Sequence, residues 1–320
     1  MNTFTPKQIW SAQKRISCFI KATPLIYSSS LSSLLETEVY LKPECFQVAG
    51  SFKVRGACNK VAILKQQNAN QRLVTCSSGN HGTALAYAAA QIGYPAPVIF
   101  VPENADSTKV NRIRSYGAEV RAEGKDFLET YDITQEYVRS SGALYVHSHS
   151  DKEVIAGQGT IGLELLVELP DLDAVVVPVG GGGLISGIAT AVKAGFSEAE
   201  IFGVEAAAAP GAYLSFQDSR CHESVDIKPS LADGLLGTLT PLTYSIASSL
   251  VSSIQIVEEA EIAAAIALLL ETEQIIAEGS SVVGLAAALA GKLDLRGKKS
   301  VFVITGRNIS KEKFLKALSS

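Results

Sequence analysis

The chain has 320 residues, 47% of them hydrophobic and 19% charged, with a formal net charge of −4. This length supports a large core, expected in two lobes, and the mildly acidic balance excludes the basic stripe of a nucleic-acid binder. No run of about 18 apolar residues is free of charge, so no membrane span is expected; the apolar stretch 262–270 is framed by Glu258, Glu259, Glu261 and Glu271 and reads as a core helix.

Residues 1–20 show no leader pattern and carry Lys7, Lys14 and Arg15 along a helical period, so the expected compartment is the cytoplasm. Ser51-Phe52-Lys53-Val54-Arg55-Gly56-Ala57 sets a lysine between an aromatic residue and a valine. From residue 72 onward, apolar runs alternate with helical patterns, the sign of a parallel α/β sheet. Strands are expected at 72–76, 97–101, 119–122 and 144–147, with helices at 83–92, 108–116 and 127–140. A second series follows: helix 157–168, strand 174–179, helix 184–194, strand 201–205, helices 260–273 and 281–290, and strand 300–304. No low-complexity linker and no short repeat interrupts it.

Two turns in this series carry chemistry. Gly180, Gly181, Gly182 and Gly183 follow a buried strand and lead into a helix at Leu184. Without Cβ atoms such a turn presents several amide N–H groups to an anion, and the helix adds its positive end. A Walker loop needs Gly-Lys-Ser/Thr where this chain has Gly183-Leu184-Ile185, and a dinucleotide fingerprint needs glycine where Ile185 stands. The phosphate of a compact cofactor fits the turn best. Ser77-Ser78-Gly79-Asn80-His81-Gly82 opens the next anion-binding turn, though Ser77 and Asn80 are also ordinary helix caps. The five cysteines, Cys18, Cys45, Cys58, Cys76 and Cys221, are odd in number and lack CxxC spacing, so neither a disulfide framework nor a zinc site is expected.

Taken in order with Val154-Ile155-Ala156-Gly157-Gln158-Gly159-Thr160-Ile161, Ala232-Asp233-Gly234 and Thr305-Gly306-Arg307-Asn308, these phrases resemble the fold-type II pyridoxal phosphate enzymes. The nearest branch is that of serine/threonine dehydratases and serine racemase, and the resemblance runs from about Thr23 to Asn308. It implies a two-lobed α/β fold like tryptophan synthase β, each lobe a mostly parallel sheet flanked by helices. Residues 1–68 and 148–320 form the large cofactor-binding lobe, and 69–147 a small mobile one. It also implies a homodimer.

The resemblance assigns roles residue by residue. Lys53 is the Schiff-base lysine and base, its pKa lowered by enclosure. Gly180, Gly181, Gly182, Gly183 and Leu184 hold the phosphate of pyridoxal 5'-phosphate. Asn80 meets the ring hydroxyl, Glu278 approaches the ring, and Thr305 faces the ring nitrogen as a neutral hydroxyl. Ser77, Ser78, Gly79, Asn80 and His81 clamp the substrate carboxylate, with His81 read as a structural hydrogen-bonder. Ser78 matches the serine that acts as acid/base in serine racemase. The family's racemase branch has an arginine near Thr130 and a divalent-cation site at Glu205, Ala209 and an aspartate; this chain has Thr130 and, in place of the aspartate, Gly211, so no metal is expected. Arg307 replaces a glycine of the usual Ser-Gly-Gly-Asn, which sets a cation at the cofactor edge, at the distal end of the substrate or in solvent.

The implied activity is that of a lyase converting a small β-hydroxy amino acid, such as L-threonine or L-serine, to a 2-keto acid and ammonia. Alternatives are a serine-type racemase with side elimination, a dehydratase of 3-hydroxyaspartate, phenylserine or a hydroxyectoine breakdown product, and a non-catalytic metabolite-binding protein. Arg307 favours an acidic distal group among these.

Overall fold

The computed structural model describes residues 4–319. Ten strands are present among them: β1 (Ile26–Tyr27), β2 (Glu38–Lys42), β3 (Leu73–Cys76), β4 (Val98–Val101), β5 (Glu119–Ala122), β6 (Leu144–Tyr145), β7 (Ala174–Pro178), β8 (Glu200–Ala206), β9 (Ser253–Val257) and β10 (Lys299–Val303). They form a six-stranded sheet in the order β1-β2-β10-β7-β8-β9 and a four-stranded sheet in the order β5-β4-β3-β6. Every pairing is parallel except β1 with β2. The near-continuous apolar runs of β3, β4 and β7 are buried throughout, as strands covered by helices on both faces must be.

Glycines in Val154–Ile161 bring three helices together around the site. A Cβ on Gly157 would stand 2.5 Å from the backbone of Arg55 and Gly56, so the helix Lys152–Glu168 touches the helix Lys53–Gln66 backbone to backbone. Gly159 meets Gly187 of the helix Gly183–Gly195 in the same way, with a Cβ on Gly187 only 2.6 Å from the Gly159 nitrogen. The helix starting at Lys53 and the helix starting at the glycine turn are thus both fixed against one central helix. The core of the four-stranded sheet also draws on the first of these, through Val54, Ala57, Cys58, Val61 and Leu64.

Most predicted elements match, with shifts at their ends. The helix expected from 157 begins at Lys152, because Asp151 caps it by accepting from the Glu153 and Val154 N–H groups at 2.8 and 3.3 Å. The strand expected over 144–147 stops at Tyr145, and the chain continues as a loop bearing His147, Ser148 and His149. Helices at Lys53–Gln66 and Pro241–Ala247, and strands β2 and β9, lie outside the predicted set, while the helical period over Lys7, Lys14 and Arg15 is the helix Pro6–Ile16.

Candidate active site

The site lies beyond the carboxyl ends of the parallel strands, where connections from both sheets converge. Lys53 is the first residue of its helix. The segment before it is stitched to the end of β10: Phe52 N–H donates to Thr305 O at 3.0 Å, Ser51 bridges to Gly306, and Arg307 N–H donates to Gly50 O at 3.0 Å. Lys53 keeps part of its surface open to the cleft, while its ammonium is deeply seated. Its Nζ donates to Ser148 O at 3.1 Å and lies 5.1 Å from the Phe52 ring centroid. Burial lowers its pKa to about 8, with the Glu278 charge opposing.

Three imidazoles face this amine. His81 Nε2 lies 3.0 Å from Val146 O, and burial, then the Lys53 charge, lowers its pKa to about 3. Burial and Lys53 lower His147 to about 4. Burial, His147, Lys53 and His81 hold His149 well below the ordinary histidine value. Lys53 and these three bases form a cluster in which no carboxylate acts on any imidazole among the described residues.

The glycine turn closes one end. Gly182 adopts φ +80°, open to glycine at no steric cost, and a Cβ on Gly181 would enter the His149 ring at 2.3 Å. At the other end, the helix Asn80–Ile92 starts at Asn80, three residues before the expected position, with Gly79 as its cap. Asn80 does not cap: its Nδ2 donates to Glu278 Oε1 at 2.6 Å, and its Oδ1 accepts from Asn308 Nδ2 at 2.5 Å. Ser77 Oγ accepts from Gly79 N–H at 3.3 Å, and a Cβ on Gly79 would meet nothing within 4 Å, so this turn borders open space. Ser78 is half-buried in it. Burial raises the Glu278 carboxyl to about 7, Asp233 adding to the effect and the Asn80 hydrogen bond opposing it.

Thr305 is buried, and its Oγ1 lies 3.0 Å from Ser281 Oγ, which donates to Gly306 O and accepts from Gly306 N–H, both at 2.7 Å. Arg307 is exposed. The Glu205 oxygens accept from the Ala212 and Tyr213 N–H groups at 3.0 and 2.8 Å, while Ala209 is buried with its own N–H on Ala206 O at 3.0 Å.

A matching group has to bring negative charge to the glycine turn, whose backbone N–H groups and helix start favour an anion, and an aldehyde to the amine. Pyridoxal phosphate meets both conditions. The model of the family described as pyridoxal-phosphate dependent enzyme matches residues 16–306. The chain belongs to that family. It is 43% identical over 306 residues to an L-threonine ammonia-lyase of Thermotoga maritima, a match covering 95% of this chain and 76% of that one. It is 37% identical to a serine racemase of Dictyostelium discoideum, covering 100% and 99% of the two chains. Among solved structures, maize serine racemase superposes with a TM-score of 0.92 at 31% identity, covering 98% of this chain and 97% of that one. The chain is therefore a pyridoxal phosphate-dependent enzyme of fold type II.

The sequence motifs led to Lys53, the glycine turn, Asn80, Glu278 and Thr305. They did not lead to His147, Ser148, His149, Ser281 or the Asn80–Asn308 contact. The alternating His147-Ser148-His149 after a strand was a signal available in the sequence, since alternate residues of an extended segment share a side.

Proposed function

We propose that this protein is an ammonia-lyase that eliminates water from a small β-hydroxy amino acid, such as L-threonine or L-serine, leaving a 2-keto acid and ammonia. The observation that carries this is Lys53: an amine with a pKa lowered to about 8, among neutral bases and beside a phosphate-shaped turn. The bound cofactor supplies an electron sink for the pair released at the substrate Cα. Lys53 would take the Cα proton; at neutral pH its lowered pKa makes it a more available base than a solvated lysine. Ser77, Ser78, Gly79, Asn80 and His81 supply hydroxyl and amide groups for the substrate carboxylate at the helix start. Asn80, held from both sides by Glu278 and Asn308, is fixed to meet the ring hydroxyl. Thr305 would offer the ring nitrogen a neutral hydroxyl partner, which suits loss of the β-substituent. Gly180, Gly181, Gly182, Gly183 and Leu184 hold the phosphate.

Racemisation is the second reading, favoured by Ser78, a half-buried hydroxyl on the turn before the helix Asn80–Ile92, and by the kinship to serine racemases. Two features complete the proposal: residues 69–147 move as a small lobe against 1–68 and 148–320, and two copies pair as a homodimer. No helix among the described residues is long and apolar enough to cross a membrane, and cytoplasmic residence is proposed with it. The deciding experiment measures pyruvate and 2-oxobutyrate release from L-serine and L-threonine beside loss of optical activity. Keto-acid release outpacing D-isomer formation supports the lyase; D-isomer without keto acid overturns it in favour of the racemase.

A further inference from the structure

Three of the four histidines of the chain converge on Lys53. Their hydrogen bonds distinguish them. His147 Nδ1 accepts the His149 and Ser150 N–H groups at 3.2 and 2.9 Å, so a proton there breaks the loop that carries all three residues. His81 is tied through Nε2 to the Val146 carbonyl at 3.0 Å. His149 alone is paired with a hydroxyl: Ser148 Oγ lies 2.9 Å from its Nδ1. A hydroxyl turns to donate or to accept, so His149 can gain a proton without losing a partner. Its ring lies on the glycine turn, where a Cβ on Gly181 would stand 2.3 Å from Cγ, Nδ1 and Cε1 and a Cβ on Gly183 would stand 3.0 Å from its Cα and Cβ. Ser148 also joins it to the amine, since the Ser148 carbonyl accepts from Lys53 Nζ at 3.1 Å.

We propose that His149 is a positioning residue for the anion of the glycine turn: it takes up a proton as the cofactor phosphate is seated and keeps that phosphate dianionic. The inference rests on the cofactor reading above. The groups acting on His149 are Lys53, His81 and His147, all bases, and the glycine turn against its ring adds no side-chain charge. Without an anion they and burial keep the imidazole neutral. A phosphate near dianionic charge reverses the balance, and its charge-assisted hydrogen bond exceeds a neutral one. The sign follows: His149 binds protons more tightly with the anion present, so its contribution to cofactor affinity is complete at low pH. That contribution is lost as pH rises through the bound-state pKa.

The test compares cofactor retention by wild-type holoenzyme and by His149→Asn and His149→Phe from about pH 6 to about pH 9, the range in which histidine titrates. Wild type is expected to hold the cofactor about 10- to 100-fold more tightly than either variant at the acid end, with the ratio falling toward unity at the alkaline end. A ratio independent of pH overturns the proposal. The ³¹P resonance of wild-type holoenzyme reads the same question without a variant. It is expected to stay at the dianion position throughout, and a resonance that titrates near the ordinary second ionisation of a phosphate monoester, about pH 6, overturns the proposal. Wild-type protein that binds no cofactor at all instead counts against the cofactor reading, so the two failures are separable.

Discussion

Lys53 and Arg55 lie two residues apart on one helix, both deeply seated, and they have opposite fates. Arg55 is fully buried and meets carboxylates on two sides. Its Nε and Nη2 donate to Glu44 at 2.7 Å each, and Nη1 and Nη2 donate to Glu164 at 2.6 and 2.9 Å. Lys42 binds Glu164 at 2.8 Å and Glu168 at 2.7 Å in the same network. Burial alone pulls the Arg55 pKa down, but Glu44 and Glu164 overcome it and raise it. Lys53 meets a backbone carbonyl and three imidazoles, the Glu278 charge only partly opposes burial, and burial wins. The surroundings, more than burial, separate a cation that holds the fold from an amine that can react. The paired network also anchors the helix on which Lys53 sits, which makes it support for the site.

The largest expected effect is on activity at the unpaired member. Lys53→Ala should lower turnover by at least about 10³-fold, since it removes both the base and the covalent anchor. Thermal unfolding should show the fold intact, because Glu278 keeps its hydrogen bond from Asn80. A variant with near wild-type keto-acid release breaks the comparison at its root. The paired member should behave in the reverse way. Arg55→Met takes the cation from the buried Glu44 and leaves Glu164 with Lys42 alone, and should cost about 3–5 kcal/mol in denaturant unfolding. Wild-type stability in that variant would mean that the network carries little of the fold.

A smaller effect concerns pH. A Lys53 pKa near 8 means that the neutral amine accumulates as pH rises through that value, whereas a solvated lysine needs about 10.4. The rate at which cofactor-free protein captures pyridoxal phosphate should therefore rise to a plateau just above pH 8. A rate still climbing steeply at about pH 10 places the amine in solvent. The smallest effect sharpens the comparison from the acidic side. Glu205 is buried with the Ala212 and Tyr213 N–H groups as its partners, and burial, opposed by those two hydrogen bonds, raises its pKa to about 8. A carboxyl raised in the folded state contributes stability that is complete below its unfolded pKa and lost as pH rises through about 8. Glu205→Gln should therefore gain on wild type by about 1 kcal/mol between mildly acidic and mildly alkaline pH, read as the difference in unfolding free energy. A variant that follows the wild-type pH profile contradicts the raised carboxyl.

The elements of both series were legible because each is a short apolar run or a helical period bounded by glycine or a capping residue. The site was legible where one stretch of chain makes it: the glycine turn, Lys53 and Thr305 each sit in a contiguous phrase. It was illegible where the partner is remote. Asn80 finds Glu278 and Asn308 across 198 and 228 residues, and nothing local to Asn80 announces either. His149 was missed for a related reason: it lies in a loop without periodicity, and its meaning comes from the Gly181 backbone that it covers. Ser281 sits inside an apolar helix and reads as filler until β10 brings Thr305 within 3.0 Å of it.

The most direct test of the central claim is borohydride reduction of the holoenzyme followed by peptide mass mapping. The claim that Lys53 is the reactive amine of this cluster predicts one pyridoxyl-phosphate adduct per chain, on the peptide carrying Lys53. An adduct on another lysine, with Lys53 unmodified, contradicts it.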